Sequence, residues 1–132
     1  MDISEKIPTF HHHYHILYDI ANVFKGGVIY LEIGAYAGAS ATLLLSNNKV
    51  KKVISVDLGE PIKYTDTINN IRNYIGDRIS DYSYIKGSSY DTTTFAMVKK
   101  ELKKDKVNIL FIDGDHTYNG VRNDFEIYKD LV

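Results

Sequence analysis

The sequence predicts an α/β domain on a mostly parallel sheet, and two observations carry that expectation. Short β-branched and aromatic runs alternate with segments whose apolar residues recur every three or four positions. The runs are also almost continuously apolar, as strands covered on both faces of a parallel sheet must be. Strand and helix in alternation fold into right-handed βαβ units, so the architecture expected is Rossmann-like.

The elements follow in order. A first helix is predicted over 10–25, where Phe10, Tyr14, Leu17, Tyr18, Ala21 and Phe24 share a face, with Thr9 as N-cap and Gly26 as the stop. Strand 28–33 leads into a short helix over 38–45, and strand 53–57 comes next. Ile68, Ile71 and Ile75 mark a helix ending at Gly76. Strand 82–86 precedes a helix marked by Phe95, Val98 and Leu102. Its basic end, with Lys99, Lys100, Lys103, Lys104 and Lys106, reads as a solvated terminus that suits the helix dipole. Strand 107–112 is followed by a last helix, whose inward stripe is read as Val121, Phe125, Tyr128 and Val132.

Composition bounds the function. A chain of 132 residues accommodates one domain, taken as residues 1–132 with the helix 10–25 and a core over 28–132. Hydrophobic residues at 44% and charged residues at 25% exclude a disordered or coiled-coil chain. A formal charge of −1 provides no field to hold a polyanion, so no nucleic acid partner is expected. The absence of cysteine excludes disulfides, thiolate metal sites and a cysteine nucleophile. No apolar run approaches ~18 residues and no signal peptide is read at the amino end, so a cytoplasmic protein without a membrane partner is expected. His11, His12, His13 and His15 read as exposed histidines rather than a metal site. Tyr82 and Lys86 mimic a dehydrogenase pair but fall on a strand, where that pair does not belong.

Open α/β sheets bind ligands at the carboxyl ends of their strands, so function is expected where each strand stops. The first runs Glu32-Ile33-Gly34-Ala35-Tyr36-Ala37-Gly38-Ala39-Ser40. Its glycines permit positive φ and close approach of another group to the main chain; ligand binding and plain turn geometry explain them equally well. Asp57 closes the second strand, twenty-five residues after Glu32. An acid there accepts hydrogen bonds from a ribose diol, or else caps the next turn. Gly87-Ser88-Ser89 follows the third strand, beside the place a base edge would take. The fourth end, Asp113-Gly114-Asp115-His116-Thr117-Tyr118, crowds two acids and an imidazole together. Such a cluster is costly unless a cation, a substrate proton or hydrogen-bond donors satisfy it. His116 suits a base, and Asp113 a hard cation or a cationic ligand.

Glu32-x-Gly34 with Gly38 and Ser40, Asp57, Gly87-Ser88-Ser89, and the run from Phe111 to Tyr118 with Val121 and Asp124 together resemble class I S-adenosylmethionine-dependent methyltransferases. The branch is the methyltransferase domain 24 type, related to the catechol and caffeoyl-CoA O-methyltransferases, and the resemblance spans residues 28–128. It implies that Glu32, Gly34 and Gly38 surround the methionine moiety and ribose of S-adenosyl-L-methionine, with Ala35, Tyr36 and Ser40 in the same cofactor-binding set. It further implies that Asp57 holds the ribose hydroxyls, that Leu58 packs on adenine, and that Gly87, Ser88 and Ser89 lie near the adenine amino group. Relatives often carry Gly-Asp-Ser where this chain has Gly-Ser-Ser, so that loop lacks their acid. In metal-dependent relatives the first Asp of the fourth motif ligands Mg²⁺ and a lysine three positions later is the base. Asp113 is therefore assigned to Mg²⁺ or to sulfonium electrostatics, and His116, at the lysine position, to deprotonating an acceptor hydroxyl.

The expected activity is O-methyl transfer to a small-molecule acceptor. A catalytically silent cofactor-binding module and a nicotinamide-binding oxidoreductase are the alternatives. The family sheet has seven strands and four are read here, so the core is expected to be truncated after the fourth strand and its helix. The edge of that strand is then expected to pair in a homodimer or with a completing subunit.

Overall fold

A computed structural model describes residues 14–132. Its sheet has four parallel strands in the order β3-β2-β1-β4, formed by β1 (Val28–Ile33), β2 (Val50–Asp57), β3 (Tyr82–Lys86) and β4 (Ile109–Ile112). Helices α1 (Tyr14–Val23), α2 (Ala39–Leu45) and α3 (Tyr64–Ile75) cover one face; α4 (Thr92–Leu102) and α5 (Tyr118–Tyr128) cover the other. Strand order reverses between β1 and β4, which opens a crevice above their carboxyl ends.

Alternation along β1 sorts the two cores. Val28 and Tyr30 join Leu17, Ala21, Leu44 and Ile71 on the α1–α3 face, while Ile29, Leu31 and Ile33 join Val98, Leu102 and Tyr128 on the other. All six residues of β1 are buried, as a central strand of a doubly covered sheet requires.

Three boundaries differ from the sequence reading. β2 begins at Val50 rather than 53: Val28 pairs with Val50, while exposed Lys51 and half-buried Lys52 disguise the strand's start. β4 begins at Ile109, because Val107 N–H turns to the carbonyl of Leu131 and Asn108, which donates its amide to the Ile29 carbonyl, accepts the Ile29 amide with its side-chain Oδ1 rather than through the backbone. The first helix ends at Val23, short of Gly26, and its expected start at Phe10 with the Thr9 cap lies outside the described residues, as do His11, His12 and His13.

The inward face of α5 is a correction. Val121 and Phe125 are 41% and 50% exposed and Val132 is exposed as well; Gly120, Asp124 and Tyr128 point inward. Polar contacts override apolar periodicity here: Thr117 Oγ1 caps the helix by accepting the Gly120 amide at 3.0 Å, and a side chain at Gly120 would meet the Asp115 side chain. Among the described residues, β4 pairs with β1 alone, and no helix is long and apolar enough to cross a membrane.

Candidate functional site

The strand tips are held level by backbone bonds one residue past the strands. Gly34 N–H donates to Val56 at 2.8 Å, Asp113 N–H to Ile33 at 2.8 Å and Gly87 N–H to Asp57 at 2.9 Å. Above them lies a cavity of about 340 Å³.

Asp57 organises its rim. Oδ2 accepts the amides of Ala35 at 2.7 Å and Tyr36 at 3.3 Å, and Oδ1 accepts Gly59 N–H at 2.7 Å. One carboxylate thus ties the turn after β1 to the turn after β2. It serves as a cap and also lines the cavity. Gly34 shows why the first turn needs glycine. Its φ is +101°, and an added Cβ would lie 2.8 Å from the carbonyl carbon of Asp113 and nearer still to its oxygen. The close approach is therefore to the tip of β4. Gly38, at φ +96°, similarly abuts the Ile71 side chain and lies away from the cavity.

Of the residues the sequence singled out, Gly34, Tyr36, Asp57, Leu58, Gly87, Ser88 and Ser89 line the cavity. Glu32, Ala35, Gly38, Ser40, Asp113 and His116 do not. Glu32 is fully buried beneath it, where Oε1 accepts Ser40 Oγ–H at 2.5 Å and Tyr30 O–H at 3.0 Å, and Oε2 accepts Ser55 Oγ–H at 2.6 Å. Burial lifts its pKa to about 7 despite those three donors. Ser40 is thus a partner of Glu32 that fastens α2 to the sheet. The Asp113 carboxylate accepts Tyr14 O–H at 3.3 Å, and burial together with that carboxylate raises the phenol's pKa strongly. Tyr36, at φ +48°, donates its hydroxyl to the carbonyl of Gly114 at 3.2 Å and lies 3.4 Å from Nε2 of exposed His116.

Sequence reading did not assign Ile33, Val56, Glu60, Tyr90, Gly114, Asp115 and Asp124 to the lining. Asp115 lay inside the fourth motif and was legible there. Asp124 stood with that motif in the sequence, but its place in the lining follows only from the helix rotation described above. Thr117 lowers the pKa of exposed Asp115 with its amide, 2.9 Å from Oδ1, and its hydroxyl. Asp124 is shifted upward, chiefly by burial.

Among the described residues the lining therefore carries four carboxylates, Asp57, Glu60, Asp115 and Asp124, and no lysine or arginine. Such a cavity favours a cationic ligand and disfavours a phosphate-bearing one. The Mg²⁺ assignment fares worse. Among the described residues no group of three or more His, Asp or Glu is placed to hold a metal ion, and Tyr14 already donates to the Asp113 carboxylate. The donor set does not fit a Mg²⁺ centre, and the acceptor chemistry below uses this chain's side chains alone.

A Rossmann-like sheet with a glycine turn after β1, an acid at the tip of β2 and both on one cavity defines the class, a class I methyltransferase fold of the S-adenosylmethionine-dependent type. The family model described as a methyltransferase domain matches residues 31–132, and the chain belongs to that family. It is 39% identical over 128 residues to uncharacterized protein R132 of Acanthamoeba polyphaga mimivirus, covering 94% of this chain and 56% of that relative's length. Among solved structures it is similar to a Staphylococcus aureus protein described as a caffeoyl-CoA O-methyltransferase. That match has a TM-score of 0.74 at 19% identity, over 96% of this chain and 56% of the other. An O-methyltransferase from Bacillus cereus in complex with S-adenosylhomocysteine gives 0.61 at 18% identity, over 97% and 56%. An rRNA methylase from Streptococcus thermophilus gives 0.62 at 14%, over 94% and 67%. These likenesses establish the fold.

Proposed function

We propose that the cavity binds S-adenosylmethionine and that the protein transfers its methyl group to a small-molecule hydroxyl. One observation carries the cofactor reading: among the described residues four carboxylates line the cavity and no basic side chain does. S-adenosylmethionine bears a sulfonium and an ammonium against one carboxylate, so its net charge is positive. NAD bears a pyrophosphate, and the same lining opposes it, which sets the oxidoreductase reading aside. When bound, the cofactor supplies an activated methyl group whose C–S bonding pair returns to sulfur as the methyl leaves.

The side chains divide the remaining work. Asp57 keeps the turn after β1 in place and faces the cavity where a ribose diol would donate to it. Exposed Leu58 offers an apolar surface for the base. His116 stands beside the Tyr36 hydroxyl, outside the lining, and takes the acceptor's hydroxyl proton on Nε2. The partner is a second copy of this chain or a completing subunit, paired along β4. Support comes from half-buried Leu110, Phe111 and Ile112 on that edge and from exposed Tyr118, Val121 and Phe125 on α5. Sedimentation of the chain showing monomer alone at high concentration refutes the homodimer and leaves only a completing subunit.

Calorimetry with S-adenosylhomocysteine against NAD tests the cofactor, and the first alone should bind. Methyl transfer to a panel of catechol-like and sugar acceptors tests the reaction. His116→Ala should lower the rate about 10²- to 10⁴-fold while S-adenosylhomocysteine binds as before. Binding without transfer to any acceptor favours the silent module.

A further inference from the structure

We propose that Asp124, carried on α5, selects the adenine base of the bound ligand by accepting a hydrogen bond from its exocyclic amine; this rests on the adenosyl reading above. The residue is 1% exposed, yet its carboxylate belongs to the cavity lining. Its Oδ1 accepts Ser89 Oγ–H at 2.5 Å, the single hydrogen bond the structure gives this carboxylate among the described residues. Oδ2 lies 3.8 Å from where a Cβ on Gly114 would stand, on the side of the cavity that Gly114 lines. An ionised carboxylate has room for about four donors, and a buried one with a single donor is under-satisfied.

The position of that missing donor follows from the neighbours. On the adenosyl reading the sugar lies against Asp57, at the tip of β2. The base then extends toward the loop after β3, the neighbouring strand, and that loop is the segment Asp124 grips. Tyr128, one turn further along α5, holds the same loop by donating its hydroxyl to the Ser89 carbonyl at 2.9 Å. Gly87-Ser88-Ser89 has no acid of its own, and Asp124 on α5 is the acid that hydrogen-bonds to it. Burial and the nearby charge of Asp115 raise the Asp124 pKa, as expected of a carboxylate short of donors.

The test compares S-adenosylhomocysteine with its purine-riboside analogue, which carries hydrogen in place of the exocyclic amine. Wild type should prefer the amine-bearing ligand by about 10- to 100-fold, the range set by leaving a buried acceptor unpaired. Asp124→Ala should bring S-adenosylhomocysteine down to the analogue's affinity and move the analogue by less than about threefold. Ser89→Ala, which keeps the carboxylate, should retain the preference. Equal affinities in wild type, or an Asp124→Ala variant that weakens both ligands alike, overturns the proposal and leaves the adenosyl reading standing. Failure of wild type to bind either ligand refutes the adenosyl reading itself. Should Asp124→Ala not fold, the carboxyl carbon resonance of Asp124 in labelled wild type decides. It should shift with S-adenosylhomocysteine and stay in place with the analogue; a resonance unmoved by either bound ligand overturns the proposal.

Discussion

Replacing Gly34 with alanine isolates the contact that brings the β1 and β4 tips together. Two costs add. A non-glycine residue held at a sparsely populated backbone conformation such as φ +101° carries about 1–3 kcal/mol of strain. The new Cβ would also stand 2.8 Å from the carbonyl carbon of Asp113 and 3.1 Å from the amide nitrogen of Gly114, both backbone atoms with no rotamer to yield. Overpacking of that kind costs typically about 1–3 kcal/mol. The sum, roughly 2–6 kcal/mol, is a large share of the ~5–15 kcal/mol by which a domain is stable. Urea unfolding followed by circular dichroism reads it directly. With a slope of about 2 kcal/mol per molar urea, the midpoint should fall by roughly 1–3 M. Gly26→Ala is the matched control, because a Cβ there meets nothing within 4 Å; its effect should stay within about 0.5 kcal/mol. A Gly34→Ala midpoint equal to that of Gly26→Ala would refute the close approach, and with it the claim that this turn is shaped by the β4 tip.

Three further outcomes are expected. Glu32 has a folded pKa of about 7 against 4.5 unfolded, so the folded state binds the proton more tightly. The stability that Glu32 contributes is then fully present below pH 4.5, is lost through pH 4.5–7 by an amount on the order of 3 kcal/mol, and is gone above it. Glu32→Gln should remove the Glu32 share of the slope in urea melts taken across the window, leaving what upward-shifted Asp124 adds, and an unchanged slope would assign the titration to another group. Asp57→Ala frees three backbone amides, so it should cost about 1–3 kcal/mol of stability and weaken S-adenosylhomocysteine binding; calorimetry showing wild-type affinity would remove Asp57 from the site. Thr117→Ala removes the α5 cap, for an expected loss of about 1 kcal/mol in thermal or urea unfolding.

The sequence by itself determined the strand and helix alternation, the class of sheet and most of the cavity's strand-tip residues. Strand ends are local: a buried apolar run stops where a glycine or an acid follows, and the parallel sheet brings the carboxyl ends together whatever else happens. Gly34, Asp57 and Gly87-Ser88-Ser89 were legible for that reason. What only the tertiary structure decided concerns rotation and depth. Apolar periodicity assigned Val121 and Phe125 to the inward face of α5, yet that face abuts a polar cavity and is held by Thr117, Ser89 and Tyr128. Asp124 therefore points in, and a pattern rule built on hydrophobic burial could not have seen it. Glu32 shows the same limit in depth. Its place on the strand was readable, but its distance from the cavity depends on which hydroxyls converge on it from α2 and the neighbouring strand, and those partners stand 8 and 23 residues away in the chain.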